Sequence, residues 1–290
     1  MKLLRYGPFG QEKPCLLDEE GVLRDLSAHI PDVTAETLAP PQLAQLAAIP
    51  RRSLPAVGGA PRIGVPVKGI GKFIAIGLNY LDHAREAKMA VPAEPILFTK
   101  AISCLCGPDD DVMLPKGALK ADWEVELGVF IGRTARHVDE ASALDYVAGY
   151  SLVNDVSERA YQLERGSQWD KGKGFDTFGP VGPWLVTADE IGDPQALGMF
   201  LDVNGQRMQT GNTRTMIFTV RQLIAYVSTC ITLYPGDLLT TGTPPGVGMG
   251  MKPEPVFLKA GDTMHLGVDQ LGEQRQRVIA WRHRGEEVTA

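Results

Sequence analysis

The feature that most constrains the fold is a series of short apolar runs that begins near residue 70 and continues almost to residue 281. Most of these runs are bounded by Gly, Pro or Asp, which is typical of β-strands. Strands mostly follow strands, and few helical stretches separate them. The pattern therefore predicts a β-rich α+β protein, built as a roll or barrel-like sandwich, and disfavours an alternating parallel sheet.

The positions of these runs predict the individual elements. Strands are expected at residues 1–6, 73–77, 96–99, 123–131, 148–154, 182–186, 199–203, 237–241, 263–267 and 277–281. Asn204-Gly205 is a strong hairpin turn signal. Helices are expected at residues 80–88 and 219–231, and the apolar residues of the second follow the helical period, which indicates one buried face.

A change in composition suggests a boundary near residue 65. Residues 13–27 predict a β-hairpin. Prolines then recur between residues 31 and 67, together with Gly58-Gly59, as expected for a connector that contains a short helix. We therefore expect residues 1–65 to form a small N-terminal β subdomain and linker, and residues 66–290 to form the main β-roll domain.

Charge and composition limit the possible partners. The formal net charge is −6, the pI is about 5.5 and Lys and Arg are not clustered, which argues against a nucleic-acid surface. No apolar run approaches the roughly 20 residues that would span a bilayer. The first residues lack the apolar core of a secretion signal, and the four cysteines lack the paired spacing of a zinc site. The expectation is a cytoplasmic protein that acts on a small molecule.

Two glutamates interrupt the strongly apolar segment 122–131. In a strand, Glu124 and Glu126 lie on the same face, about 6.5 to 7 Å apart. Taken alone, this pattern also fits a strand with one solvent-exposed face. A second apolar strand, however, ends at Asn154-Asp155, so three carboxylates meet in apolar surroundings if the two strands are neighbours. Unpaired buried charges are costly, and a dication would neutralise them.

The donor types indicate which ion would fit. Glu124, Glu126 and Asp155 all offer hard oxygen donors, and the cluster includes no Cys or His. This favours Mg²⁺, Mn²⁺ or Ca²⁺ over zinc. Three protein ligands on an octahedral ion leave about three positions for water or a chelating substrate. That arrangement is typical of a catalytic site and not of a closed structural one.

The same carboxylates are part of a longer series of motifs. Glu124-x-Glu126 and Asp155 are followed by the stretch KGFDTFGP at residues 173–180 and by the loop TGTPPGVG at residues 241–248. In order and spacing these motifs resemble the fumarylacetoacetate hydrolase family over roughly residues 70–285. Each motif is a weak signal alone, but the combination is highly specific.

The resemblance implies a fold, a metal site and a catalytic pair. The fold would be a mixed β-sandwich roll, usually dimeric, with Mg²⁺ or Mn²⁺ held by Glu124, Glu126 and Asp155. In the acylpyruvase-like branch of the family, a His and a Glu on a short helix activate water, and the motif at residues 79–86 is similar to that pattern. His83 and Glu86 are the corresponding residues here. Their three-residue spacing places both on one helix face, where a carboxylate can orient an imidazole.

The resemblance also implies further residues around the metal. Lys173 resembles the family lysine beside the ion and is expected to act in catalysis. Four residues are expected to bind substrate: Lys100, Gln162, Thr177 and Thr243. For each of them, the alternative is an ordinary solvated polar residue.

These residues together predict a metal-dependent hydrolase. The resemblance implies cleavage of a carbon-carbon bond in a 2,4-dioxo acid, either an acylpyruvate or a 2,4-diketo-3-deoxy sugar acid, to pyruvate and a carboxylic acid. The alternative is decarboxylation of a β-keto acid such as oxaloacetate, or isomerisation of an unsaturated oxo acid. The His-Glu pair favours hydrolysis, because decarboxylation needs no attacking water. A non-catalytic module stabilised by metal is a third, less favoured reading.

Overall fold

A computed structural model describes residues 1–86 and 90–282. The strands within these residues are β1 (Lys2–Tyr6), β2 (Lys13–Leu17), β3 (Leu23–Asp25), β4 (Phe73–Gly77), β5 (Ile96–Thr99), β6 (Leu105–Cys106), β7 (Val112–Met113), β8 (Ala121–Asp122), β9 (Val125–Ile131), β10 (Val147–Asn154), β11 (Ser157–Glu158), β12 (Gly179–Pro180), β13 (Leu185–Thr187), β14 (Gly198–Val203), β15 (Gln206–Asn212), β16 (Leu238–Thr240), β17 (Thr263–Val268) and β18 (Gly272–Ile279). The α-helices are α1 (Pro40–Ala47), α2 (Leu81–Glu86), α3 (Arg159–Leu163), α4 (Asp170–Lys173) and α5 (Val220–Cys230).

The larger of the two main sheets has nine strands in the order β3-β2-β1-β13-β10-β9-β16-β4-β5. Neighbouring strands are antiparallel except for β16 and β4, which run parallel. Every residue of β9 is buried, as are all residues of β10 after the first. The centre of this sheet is therefore protein core, where a charged side chain needs a specific reason.

The second main sheet has five strands in the order β15-β14-β17-β18-β7 and lies against the centre of the first. Polar contacts join the two: Gln274 donates to the carbonyl of Leu152 at 2.9 Å, and Asn154 donates to Gln276 at 3.2 Å. Apolar residues of both sheets belong to one core. The expected β-rich α+β fold with mixed sheets is confirmed.

Local signals in the sequence are found where they were expected. Asn204 and Gly205 have φ values of 52° and 77° and join β14 to β15 as an antiparallel hairpin. Helix α5 begins after Thr219, whose side chain forms a reciprocal capping box with Gln222. Its apolar face is buried, so the periodicity identified the helix correctly.

Two strand boundaries differ clearly from the expectation, and one helix boundary cannot be compared. β18 begins well before residue 277 because Gln274 and Gln276, at 0% and 1% exposure, are buried polar residues that the apolar pattern does not register. β13 starts later than residue 182, since Pro183 lacks the N–H needed for strand pairing. Helix α2 is described only from Leu81 to Glu86, and residues 87–88 of the expected helix lie outside the described residues.

The N-terminal strands continue the nine-stranded sheet through the antiparallel pairing of β1 with β13. Leu3 and Leu16 belong to the common core. The division near residue 65 stays a prediction, because shared strand pairing does not identify which segment folds independently. Residues 283–290 of the second expected domain lie outside the described residues. Among the described helices, none combines the length and apolar character needed to cross a membrane.

Candidate active site

The three carboxylates meet because β9 and β10 are antiparallel neighbours. Val153 lies opposite Glu126, so the start of β9 lies beside the end of β10. The amide of Asp155 donates to the carbonyl oxygen of Glu124 at 2.9 Å. One oxygen from each of Glu124, Glu126 and Asp155 lies within 4.8 Å of the others, and the three residues are 6%, 1% and 0% exposed. The structure thus brings the expected metal ligands together in the core.

Two buried lysines contact this cluster. The Nζ atom of Lys173, the last residue of α4, lies 2.6 Å from Glu124 Oε2 and 2.8 Å from Asp155 Oδ2. The Nζ atom of Lys100 lies 2.6 Å from Asp155 Oδ1. Burial opposes ionisation of Lys173, but the charges of Asp155 and Glu124 outweigh it and raise the pKa of the ammonium group. Lys173 is therefore a fixed positive charge at the site.

Arg159 is a third buried cation, and it was missed in the sequence. It lies in α3, where its Nη2 atom is 2.7 Å from Glu124 Oε1 and its Nε atom is 2.7 Å from Asp122 Oδ2. A general rule could have found it, because buried carboxylates need buried counter-charges close to them. Arg159 follows Asp155 by four residues, within the turn that starts α3.

Glu126 is the member of the cluster with the least compensation. Its Oε2 atom accepts a hydrogen bond from the amide of Gly242 at 3.1 Å, but its buried Oε1 atom has no hydrogen-bond partner among the residues that the structure describes. Burial, together with the charges of Asp155 and Glu124, raises the pKa of Glu126 well above its usual range. A partnerless buried oxygen beside two further hard donors fits a divalent metal ion. Glu124, Glu126 and Asp155 could therefore hold one.

The proposed catalytic pair lies on α2. His83 Nδ1 is 3.3 Å from Glu86 Oε2, which also accepts a hydrogen bond from the amide of Gly246 at 3.1 Å. The hydrogen bond from His83 lowers the pKa of Glu86, and the hydrogen bond from the amide of Gly246 lowers it further. Burial acts in the opposite direction but does not outweigh them. Glu86 is therefore ionised at neutral pH. If Nδ1–H donates to it, Nε2 of the neutral imidazole is left as a proton acceptor.

One cavity of about 330 Å³ is lined by Glu124 and Glu126 and by the His83–Glu86 pair. Its buried or half-buried lining residues include Glu124, Glu126, Lys173, Gln162, Thr243, Phe98, Trp169 and His83, and its exposed ones include Glu86, Met249, Leu163 and Lys252. The exposed residues mark the end that opens to solvent. One ligand in this cavity could therefore contact two of the three clustered carboxylates and the imidazole.

Gln162 and Thr243 lie in the cavity wall as expected. The side-chain oxygen of Gln162 accepts a hydrogen bond from Arg159 at 2.9 Å. The hydroxyl of Thr243 donates to the carbonyl of Val125 at 2.9 Å and accepts from Gln209 at 2.8 Å. Because the Thr243 hydroxyl donates its proton to Val125, it has no proton left to donate to a substrate. The same bond holds the loop at residues 241–246 against β9.

Two other expected substrate contacts lie elsewhere. The Lys100 side chain is fully buried and contacts Asp155 from outside the cavity lining. Thr177 lines a different cavity, of about 540 Å³, and its hydroxyl accepts a hydrogen bond from the amide of Met113 at 2.8 Å. Thr177 is only four residues beyond Lys173, but it does not share a helix face with it, because α4 ends at Lys173 and Gly174 caps it. Thr177 therefore does not line the cavity that contains Glu124 and Glu126.

Comparison with known proteins identifies the family. Residues 72–279 match the model of the fumarylacetoacetate hydrolase C-terminal region. A Burkholderia ambifaria protein, named only provisionally as a hydrolase, is 66% identical over 276 residues, which are 95% of this chain and 98% of that protein. The match spans nearly the whole of both chains.

Solved structures of similar shape include hydrolases and an isomerase. The fumarylacetoacetate hydrolase of Exiguobacterium antarcticum superposes with a TM-score of 0.85 at 32% identity, covering 97% of this chain and 100% of that one. The maleylpyruvate hydrolase of Sphingobium sp. SYK-6, in complex with manganese(II) and pyruvate, gives 0.79 at 31%, with coverage of 97% and 100%. The 5-carboxymethyl-2-hydroxymuconate delta-isomerase of Mycobacterium smegmatis gives 0.76 at 30%, with coverage of 98% and 100%. This chain belongs to the fumarylacetoacetate hydrolase family.

Proposed function

We propose that the protein is a metal-dependent hydrolase that cleaves a carbon-carbon bond in a 2,4-dioxo acid. The products would be pyruvate, or a close analogue, and a carboxylic acid. The observation that carries this proposal is that Glu124, Glu126 and a His83–Glu86 pair line the same cavity. An oxo acid would bind to the metal ion that the carboxylate cluster holds. Hydrolysis additionally requires a base that can activate water.

The metal would be Mg²⁺ or Mn²⁺, held by Glu124, Glu126 and Asp155. When bound, such an ion supplies Lewis-acid polarisation of the 2-oxo acid end of the substrate. Support comes from the all-oxygen donor set and from the maleylpyruvate hydrolase structure that contains manganese(II) and pyruvate. Lys173 contributes a fixed positive charge beside the same carboxylates.

His83 is the proposed general base. With Nδ1–H directed at ionised Glu86, its Nε2 atom accepts a proton from water while the water oxygen adds to the C4 carbonyl carbon. Glu86 keeps the ring in this tautomer and stabilises the imidazolium that forms. The amide of Gly246, which donates to Glu86, fixes the carboxylate in turn.

Cleavage of the C3–C4 bond completes the reaction. The electron pair of that bond goes to C3, which yields the enolate of pyruvate, and C4 leaves as part of the carboxylic acid. The proton taken up by His83 is available to C3, so that one water is consumed for each bond broken. The positive charge of Lys173 lies where it can offset the negative charge of the enolate.

A second candidate uses the same cavity without an attacking water. Decarboxylation of oxaloacetate, or isomerisation of an unsaturated oxo acid, also passes through an enolate. The isomerase among the similar structures favours keeping this candidate. The His83–Glu86 pair favours hydrolysis, since a base for water would be superfluous in a decarboxylase.

A pyruvate-release screen tests the proposal. The purified protein would be incubated with Mg²⁺ or Mn²⁺ and with acylpyruvates, 2,4-diketo-3-deoxy sugar acids and oxaloacetate in parallel. Release of pyruvate and a carboxylic acid from a dioxo acid, lost on metal removal, is the expected result. Release from oxaloacetate alone would favour the decarboxylase.

Assembly and location are part of the same proposal. Family resemblance leads us to propose a homodimer. From the charge and the apolar pattern of the sequence we propose a cytoplasmic protein whose partner is a small oxo acid, and not nucleic acid or a membrane. Within the family, residues 168–172 and 209–213 resemble members that act on diketo-deoxy sugar acids, and they also resemble members named without a substrate, so the acyl chain is left open. The screen above includes this substrate class for that reason.

A further inference from the structure

The exposed end of the active-site cavity is formed partly by the segment at residues 247–252, here called the rim segment. Met249 and Lys252 of this segment line the cavity. The segment contains a short 3-10 turn at Gly248–Gly250. It follows directly on the loop that carries Thr243, so one continuous stretch of chain reaches from the buried end of the cavity to its opening.

A buried carboxylate fixes the rim segment in place. Asp122, which is 0% exposed, accepts hydrogen bonds from the amides of Gly248 at 2.6 Å and Met249 at 3.0 Å. The same carboxylate binds Arg159, which in turn binds Glu124. The rim segment is thereby held at a defined position relative to the carboxylate cluster.

Among the described residues, the cationic side chains that line the cavity are paired, with one exception. Arg159 and Lys173 bind the cluster carboxylates, and His83 binds Glu86. Lys252 is exposed and forms no hydrogen bond or ion pair with any residue in the described ranges 1–86 and 90–282. After His83 and Gly246, the charge of Lys252 also helps to lower the pKa of Glu86, but without a direct contact, so the ammonium group can still bind an anion that enters the cavity.

The chemistry of the substrate indicates which anion that would be. The oxo-acid end of the substrate is attracted to the buried end, where a metal ion would sit. The rest of the molecule must then extend along the wall formed by Phe98 and Trp169, whose rings meet edge to face at 5.4 Å, toward the rim. A hydrocarbon chain suits such a wall, and Lys252, with its long, flexible side chain, lines the same cavity at its exposed end.

We propose, on the basis of the proposed function, that Lys252 binds a second carboxylate at the end of the substrate remote from the oxo acid. The preferred substrates are then 2,4-dioxo diacids, and monoacids of similar length are poorer. A carboxylate–ammonium contact gains from charge-assisted hydrogen bonding, although exposure at the rim reduces it. The carboxylic acid product of such a substrate is itself a diacid.

The test compares one diacid with one monoacid. The substrates are maleylpyruvate and acetylpyruvate, and the protein is measured with Mn²⁺ as wild type, Lys252→Met, Lys252→Arg and Lys259→Met. Lys259 is an exposed lysine outside the cavity and serves as the matched control. The quantity compared is the ratio of kcat/KM for the diacid to kcat/KM for the monoacid, which cancels any general effect of a substitution on the nearby His83–Glu86 pair.

We expect Lys252→Met to lower this ratio on the order of tenfold, mainly through KM of the diacid. Lys252→Arg should retain the ratio, and Lys259→Met should leave it unchanged. The wild-type ratio should also fall as salt is raised, because the contact is partly exposed. Cleavage of both substrates with an unaltered ratio in Lys252→Met overturns the role of Lys252 alone. Failure of the wild type to cleave these two substrates overturns the role of Lys252, and failure with every 2,4-dioxo acid of the screen overturns the proposed function as well.

Discussion

Glu126 carries the charge that the surrounding cations leave uncompensated. It is 1% exposed, its Oε1 atom has no hydrogen-bond partner, and two other carboxylates lie within 4.8 Å of it. Such a residue costs stability in the absence of an ion. Replacement by Gln keeps the shape and removes the charge.

We therefore expect Glu126→Gln to have two opposite effects. In EDTA the variant should unfold at a higher temperature than the wild type, with a gain of about 1 kcal/mol in the free energy of unfolding. Its affinity for Mn²⁺ should fall sharply, because a charged ligand is lost. Thermal unfolding and calorimetric titration measure the two effects. Stoichiometric Mn²⁺ binding at wild-type affinity would show that the metal site has been misplaced.

His83 separates hydrolysis from decarboxylation at the same site. If His83 and Glu86 activate water, His83→Ala should lower acylpyruvate cleavage by roughly 10²- to 10⁴-fold, the usual contribution of a general base. If the wild type also decarboxylates oxaloacetate, the rate of that reaction should fall much less in His83→Ala, since decarboxylation requires no attacking water. Both rates are followed by pyruvate release.

The control for this variant is its metal content, which should equal that of the wild type because His83 is not among the three clustered carboxylates. Equal losses in both reactions at unchanged metal content would contradict the role of general base. The pair would then position the substrate in a way that both reactions need.

The sequence predicts the charged residues of the site better than the polar ones. Charged residues in apolar strands stand out, so Glu124, Glu126 and Asp155 could be identified and placed together. The position of Thr177 could not, because it depends on where α4 ends. Arg159 was missed because an arginine in a helix has no distinctive pattern until the burial of its partners is known.

At the scale of elements, local signals predict position and tertiary contacts decide length. Helix α5 was predicted within one residue at each end because its period and its capping box agree. β18 was predicted too short, because two of its buried residues are glutamines that bind the backbone of other segments. A buried polar residue satisfied by distant groups leaves no local trace in the sequence.

The capping box of α5 leads to a prediction about stability. Thr219→Ala removes the side chain that accepts a hydrogen bond from the amide of Gln222, and we expect a loss of about 1 kcal/mol in the free energy of unfolding. Thr229→Ala is the matched control, because Thr229 is an exposed residue of the same helix. Its hydroxyl contacts the carbonyl of Tyr226 and the thiol of Cys230, both within that helix. It should be neutral or slightly stabilising. Equal losses in the two variants, measured by denaturant unfolding, would mean that the cap contributes nothing specific.

At the scale of the whole molecule, the family resemblance leads us to expect a homodimer built largely by residues after 65. Light scattering at micromolar concentration should give about twice the chain mass of 31.4 kDa. A mass equal to that of one chain would contradict the expectation. The nine-stranded sheet includes the N-terminal strands, so removal of residues 1–65 should destabilise the protein, and the test must use the full chain.

Metal binding should be measurable in the stability of the whole molecule. At the cluster, Asp122, Glu124 and Asp155 form ion pairs with buried cations, whereas Glu126 forms none among the described residues, and burial and the charges of Asp155 and Glu124 raise its pKa. The carboxylates approach one another only after β9 and β10 have paired, so an ion binds the folded state in preference to the unfolded chain. At a hundredfold excess of the ion over its Kd, this binding stabilises the fold by about 2.7 kcal/mol.

We therefore expect Mn²⁺ added to EDTA-treated protein to raise Tm by roughly 5 °C or more, with a further rise that follows the logarithm of free Mn²⁺. Glu126→Gln should lose most of this rise, whereas Thr229→Ala should keep it. A rise of equal size in Glu126→Gln would place the stabilising ion somewhere other than the carboxylate cluster.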